Sequence, residues 1–305
     1  MNNLNFTHAL GYVAVLSFFG IIGFVVAVML PTQSTGSSQL LASPTAAHAT
    51  DYELQDISVA AEAAYVLDAS SGEVLYDKSA LAQLPLASIT KVAVALLAHT
   101  HLNSEGVLTI SEENLLPEGD SGFEIGEQWR VRDLIDFTLL TSSNDGAATL
   151  ARAIEKATGK DIAILLNEQA KELGLAQTYF INATGLDSST SFGGAYGSAR
   201  DIAKLFVHVY RVAPELLAAT NVPEYTFTNL NGKVYEASNT NKVVPDLPGL
   251  VFGKTGFTDL AGGNLAVLIE PEPGHPLVVV VLGSTQDERF KDVVRLVHTA
   301  LQTTE

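Results

Sequence analysis

The stretch Pro85-Leu86-Ala87-Ser88-Ile89-Thr90-Lys91-Val92-Ala93-Val94-Ala95-Leu96-Leu97 decides how this sequence is read. It predicts a buried helix whose first turn carries a serine and, three residues on, a lysine. Positions i and i+3 share a helix face, so the Ser88 hydroxyl and the Lys91 amine can meet. Two apolar turns follow Lys91, and burial disfavours the charged ammonium. The positive end of the helix acts in the same direction. A lysine that is neutral part of the time can take the proton from a serine, which alone is a weak nucleophile. The same four residues also read as a serine N-cap followed by a lysine snorkelling to solvent, so the rest of the chain has to choose.

Two further short motifs make that choice. Ser142-Ser143-Asn144 falls in a break between two helical patterns, where a short loop can present side chains to a cleft. Lys254-Thr255-Gly256 lies on a strand-like segment just before Phe257-Thr258-Asp259. Each alone has an ordinary reading, as a helix cap or as an edge strand with a turn glycine. Ser-x-x-Lys, Ser-x-Asn and Lys-Thr-Gly in this order, each on its own type of element, form a set.

The surrounding pattern is that of an α+β domain. Residues 63–68 and 73–77 read as strands joined by the tight turn Ala69-Ser70-Ser71-Gly72. Helices are predicted over 131–140, 145–158, 161–173 and 199–212, with Gly159 stopping the second. A turn-rich stretch covers 182–197. Strands are expected at 251–256, 264–270 and 276–283, and a helix over 286–301. Strands at both ends with helices between them predict an antiparallel sheet flanked by helices, with an inserted helical lobe.

Composition sets the outer bounds. The 305 residues, 47% hydrophobic, suffice for one large core or two smaller lobes. A net charge of -17 argues against nucleic acid as a partner. There is no cysteine, which removes disulfides, thiol catalysis and cysteine metal sites. The seven histidines, at 8, 48, 99, 101, 208, 275 and 298, show no ligand spacing, so neither a metal nor another cofactor is expected.

Residues 1–50 contain no Asp, Glu, Lys or Arg, and 9–30 form an apolar run of 22 residues. As a helix it would span about 33 Å, enough to cross a bilayer. An N-terminal transmembrane helix that stays uncleaved is the favoured reading. The rival is a signal peptide, for which Ala47-His48-Ala49 resembles a cleavage site, although it lies far beyond the run and no basic residues precede the run. Residues 31–50, rich in Ser, Thr, Ala and Gln, read as a flexible linker, and 51–305 as the catalytic domain.

The three motifs together resemble those of the penicillin-recognising serine enzymes. Within that group the chain is similar to the low-molecular-mass penicillin-binding proteins, the D-alanyl-D-alanine carboxypeptidases of the peptidase S11 type. Supporting stretches are Leu67-Asp68-Ala69-Ser70-Ser71-Gly72-Glu73-Val74-Leu75-Tyr76, Gly185-Leu186-Asp187, Ser198-Ala199-Arg200-Asp201-Ile202-Ala203 and Gly253-Lys254-Thr255-Gly256-Phe257-Thr258. The resemblance implies a β-lactamase/transpeptidase-like fold and removal of the terminal D-Ala from peptidoglycan stem peptides ending in D-Ala-D-Ala. It implies that Ser88 attacks the penultimate carbonyl, that Lys91 accepts its proton, that Ser142 relays a proton to the leaving amine and that Asn144 orients Lys91 and binds the substrate's amide. Lys254, Thr255 and Gly256 would receive the substrate's carboxylate end. The N–H groups of Ser88 and Phe257 would hold the oxyanion. β-Lactam antibiotics would be covalent inhibitors, and the catalytic domain would face outward from the cell membrane, or be secreted or periplasmic if the N-terminal segment is cleaved.

Several alternatives belong beside this reading. A D,D-endopeptidase or transpeptidase of the same fold differs only in cleft shape. A class A β-lactamase needs a Glu-x-x-Leu-Asn loop that is absent between Asn144 and Lys254, and has Ser-Asp-Asn where this chain has Ser-Ser-Asn. A non-catalytic wall-binding protein would have no reason to keep all three motifs. Gly119-Asp120-Ser121-Gly122 imitates part of a chymotrypsin-like nucleophile motif but lacks the His and Asp context and reads as a surface turn. After the closing helix no all-β domain or amphipathic anchor is read, where many members of the family carry both, so the N-terminal helix would take over anchoring.

Overall fold

The computed structural model describes residues 57–303. The expected N-terminal segment and linker lie outside these residues. Among the described residues no helix is long and apolar enough to cross a membrane.

Strands β1 (Ala63–Asp68) and β2 (Val74–Lys78) pair antiparallel. The turn between them is held by Asp68, whose Oδ1 accepts from the N–H groups of Ser70 and Ser71 at 2.8 and 3.2 Å. Glu73, expected in the second strand, is used by the turn instead: its carbonyl accepts from Asp68 and its N–H donates to Ser71 Oγ. The chain then passes through β3 (Leu84–Pro85) and a single 3-10 turn, Ala87–Ile89, into α1 (Thr90–His101). Ser88 therefore sits in the turn ahead of the α-helix, a correction to the expectation that it occupies the helix's own first turn.

A helical lobe follows, comprising the short strands β4 (Val107–Thr109) and β5 (Gln128–Arg130) and the helices α2 (Val131–Thr141), α3 (Asn144–Thr158) and α4 (Ile162–Glu172). After β6 (Tyr179–Phe180) and β7 (Ala195–Gly197) the helix α5 (Ala199–Val212) returns to the sheet. The hairpin β8 (Glu224–Thr228) and β9 (Val234–Ser238) comes next. Sequence reading missed this hairpin, although Asn231-Gly232 between alternating aromatic and polar residues is a hairpin signal. Its Phe227 and Tyr235 join Phe123, Trp129 and Phe137 in an aromatic cluster, with Trp129 and Tyr235 centroids 5.2 Å apart.

The chain closes with β10 (Leu250–Thr258), β11 (Gly262–Ile269), β12 (Leu277–Ser284) and α6 (Glu288–Thr303). The main sheet has the order β10-β11-β12-β1-β2 and is antiparallel throughout. Alternation along each strand deals its residues to two cores. Ala64, Val66, Leu265, Val267, Val279 and Val281 pack with Val293, Leu296 and Val297 of α6. Ala63, Tyr65, Ala266, Leu268, Val278 and Val280 face α5 and the helical lobe. At the centre of that lobe lies α1, buried on every side from Thr90 to Ala98, as its unbroken apolar run requires.

Candidate active site

The three motifs converge where the edge strand β10, the turn before α1 and the α2–α3 junction meet. Lys91 is 1% exposed, and its Nζ lies 2.8 Å from Ser88 Oγ, 2.7 Å from Asn144 Oδ1 and 2.7 Å from the carbonyl of Thr184. Burial lowers its pKa to about 7. A neutral amine has two hydrogens and one lone pair. With the hydrogens on Asn144 Oδ1 and the Thr184 carbonyl, both acceptors, the lone pair is left facing the Ser88 hydroxyl, which is the arrangement of a general base and a nucleophile.

Close backbone packing fixes this geometry. Ala87 has φ +48 and Ser142 φ +64, so non-glycine residues in the disfavoured left-handed region flank or carry two of the motifs. Gly185 lies so close to the Ala87 carbonyl that a Cβ there would sit 1.9 Å from its oxygen, which requires glycine. Gly256 presses on the same turn, and a Cβ on it would lie 2.7 Å from the Leu86 carbonyl and 3.2 Å from Ser88 N. The strand is thereby brought against the serine's backbone. Asn264, opposite Gly256 in the register, donates to the Pro85 carbonyl at 2.9 Å and ties the sheet to the turn from the other side.

On the sheet side, Lys254 is 1% exposed, and its Nζ donates to Ser142 Oγ and to the Thr255 carbonyl, both at 2.9 Å. Burial, then the nearby charges of Lys91 and Arg289, hold its pKa well below the usual lysine range. Thr255 Oγ1 is 2.6 Å from Thr240 Oγ1. Arg289, largely buried on α6, donates to the Gly256 carbonyl at 2.6 Å, and burial lowers its pKa to about 10. Lys91, Lys254 and Arg289 thus share one part of an acidic protein, where burial disfavours their charged forms and an arriving anion would favour them. Phe257 is 43% exposed at the end of the motif. Among the described residues no group of three or more His, Cys, Asp or Glu could hold a metal ion.

The structure thus brings Ser88, Lys91 and Asn144 into one hydrogen-bonded group and Ser142, Lys254 and Thr255 into a second beside it, with Gly256 against the Ser88 turn. A family model described as D-alanyl-D-alanine carboxypeptidase, peptidase S11, matches residues 47–286. The chain belongs to this family. Among the S11 relatives, D-alanyl-D-alanine carboxypeptidase DacF of Bacillus subtilis is 29% identical over 249 residues, covering 77% of this chain and 61% of that protein. The D-alanyl-D-alanine endopeptidase of Pseudomonas aeruginosa is 29% identical over 253 residues, covering 78% of this chain and 76% of that one. Penicillin-binding protein D2 of Listeria monocytogenes, solved with ampicillin bound, superposes with a TM-score of 0.70 at 30% identity, covering 81% of this chain and 99% of that chain. The fold is the α+β, transpeptidase-like fold of these penicillin-binding proteins. The chain spans less than two thirds of the Bacillus relative's length.

Sequence reading missed several neighbours of the site. The Thr184 carbonyl on Lys91 left no trace beyond the adjacent Gly185-Leu186-Asp187. Asp187 accepts from Thr258 Oγ1 at 2.9 Å and from Leu260 N at 3.2 Å, joining the 182–197 loop to the end of β10. The turn at 119–122 is at the surface, as read, and its inner side and the preceding Glu118 carbonyl also touch Asn144 and Asp145.

Proposed function

We propose that this chain is a serine D,D-carboxypeptidase that removes the terminal D-Ala from peptidoglycan stem peptides through an acyl-enzyme on Ser88, and that β-lactams inhibit it by acylating the same serine. The observation that carries the reading is Lys91, buried, with a pKa lowered to about 7 and its Nζ 2.8 Å from Ser88 Oγ.

In this reading Ser88 Oγ attacks the penultimate D-Ala carbonyl while its proton passes to Lys91. The oxyanion is held by the N–H groups of Ser88 and Phe257, a kind of stabilisation whose loss typically costs roughly a hundredfold or more. The C–N bond then breaks, and the proton reaches the leaving amine of D-Ala through Ser142. Lys254 and Thr255 receive the terminal carboxylate beside Gly256, and the anion restores the charge that burial disfavours on Lys254. Water hydrolyses the ester and frees Ser88. Residues 51–305 form the catalytic domain, on the outer side of the cell membrane where its substrate lies.

A second reading, a D,D-endopeptidase, is favoured by the Pseudomonas relative that carries that name. The deciding experiment supplies the purified chain with a stem peptide ending in D-Ala-D-Ala and, separately, with cross-linked dimers, using Ser88→Ala as control. Release of D-alanine that disappears in the variant supports the carboxypeptidase. Cleavage of dimers alone would replace it with the endopeptidase.

A further inference from the structure

The segment Gly119-Asp120-Ser121-Gly122 has no place in the chemistry above, yet it lies against the Ser-x-Asn motif. We propose that the 117–122 loop is a clamp on the Asn144 carboxamide, and that Ser121 and Asp145 are positioning residues that keep Asn144 Oδ1 on Lys91. The role assigned to Lys91 rests on the carboxypeptidase reading; the clamp itself is a statement about contacts.

A carboxamide has an acceptor end and a donor end, and its partners decide which way it points. Asn144 Oδ1 accepts from Lys91 Nζ at 2.7 Å, and Asn144 Nδ2 donates to the Glu118 carbonyl at 2.6 Å. The second bond fixes the first. Without Glu118 the amide can turn over and offer Lys91 an N–H in place of an oxygen, and the lone pair of the amine is no longer directed at Ser88.

The Glu118 carbonyl is in turn held in place by the rest of the loop. Ser121 N donates to Asp145 Oδ2 at 3.0 Å, and Ser121 Oγ is 2.5 Å from Ser143 Oγ, which also accepts from Gly146 N as the cap of α3. Asp120 accepts from Gly122 N at 2.7 Å and closes the turn. From the β8–β9 hairpin, Lys233 Nζ and Tyr235 Oη donate to the Gly122 carbonyl at 2.8 and 3.1 Å. Gly119, at φ +102, passes so close to Asn144 that a Cβ would stand 3.2 Å from Nδ2. Asp145 is 2% exposed, and burial raises its carboxyl pKa while the hydrogen bonds from Ser121 oppose that rise. The four residues Ser142-Ser143-Asn144-Asp145 thus divide by role: Ser142 and Asn144 contact the lysines, while Ser143 and Asp145 grip the loop.

The test is the titration of Lys91 Nζ, followed by NMR, together with acylation by a fluorescent penicillin across pH. The variants are Ser121→Ala, Asp145→Ala and the conservative Ser121→Thr. The carbonyl of Asn144 favours the ammonium form, so releasing the clamp lowers the Lys91 pKa by about half a unit or more. Acylation in Ser121→Ala falls about tenfold from misplacement, its pH limb moves to lower pH, and Ser121→Thr restores both. An unmoved Lys91 titration in a folded Ser121→Ala variant would overturn the clamp, even if the rate fell with thermal stability. A shifted titration in a chain that releases no D-alanine would keep the clamp and reject the carboxypeptidase reading.

Discussion

The two faces of the five-stranded sheet are dealt from the same strands, yet they meet different company. On one face Val279, Val281, Val267 and Leu265 pack on the aliphatic side of α6, and the main polar tie is Asp292, which accepts from Ala60 N, Ala61 N and Ser284 Oγ. On the other, Val278, Val280 and Ala266 face α5 and the helical lobe, where Lys91 of α1, Asp145 of α3 and Asp201 of α5 are buried, and Lys254 is buried on the edge strand β10. Burying a polar or ionisable group costs free energy unless its partners are in place. The helical side thus buries ionisable groups with their partners in place, Lys91 beside Ser88 among them, while α6 packs the sheet and sends Arg289 to the Gly256 carbonyl.

Exchanges on each face sharpen that contrast. The largest effect belongs to the helical side: Lys91→Ala reduces acylation by labelled penicillin roughly a thousandfold or more, and a variant acylating within tenfold of the parent would dismiss Lys91 as the base. Lys254→Ala comes next. It lowers kcat/KM for the D-Ala-D-Ala peptide by about 10- to 100-fold, chiefly through KM, and an unchanged value would show the carboxylate to be received elsewhere. On the α6 face, Val279→Ala removes packing alone. It destabilises the fold by about 2 kcal/mol in denaturant titrations and leaves kcat unchanged. A large loss of kcat there would erase the distinction between the faces.

Much of this arrangement was legible beforehand because periodicity and spacing are local. The α+β order, the Ser88–Lys91 proximity and the arrival of Lys254 on a strand all follow from residues near one another in sequence. The 3-10 turn at Ser88 was not legible, since it depends on Ala87 at positive φ against Gly185, nearly a hundred residues away. Nor was the Thr184 carbonyl, because any residue offers a carbonyl and only the fold aims it. The 119–122 turn is the surface turn its composition predicts, but its contacts with Ser143, Asn144 and Asp145 come from tertiary packing and were not legible.

The central claim is that a buried, neutral Lys91 activates Ser88, and the pH dependence of Ser88 acylation by a β-lactam, read by intact mass, tests it most directly. The base must be deprotonated to act and burial lowers its pKa to about 7, so the acylation rate is low in acid and rises through neutral pH to a plateau above it. A rate that is flat from pH 5 to pH 9, or that rises only toward the ordinary lysine range near 10, would contradict the account.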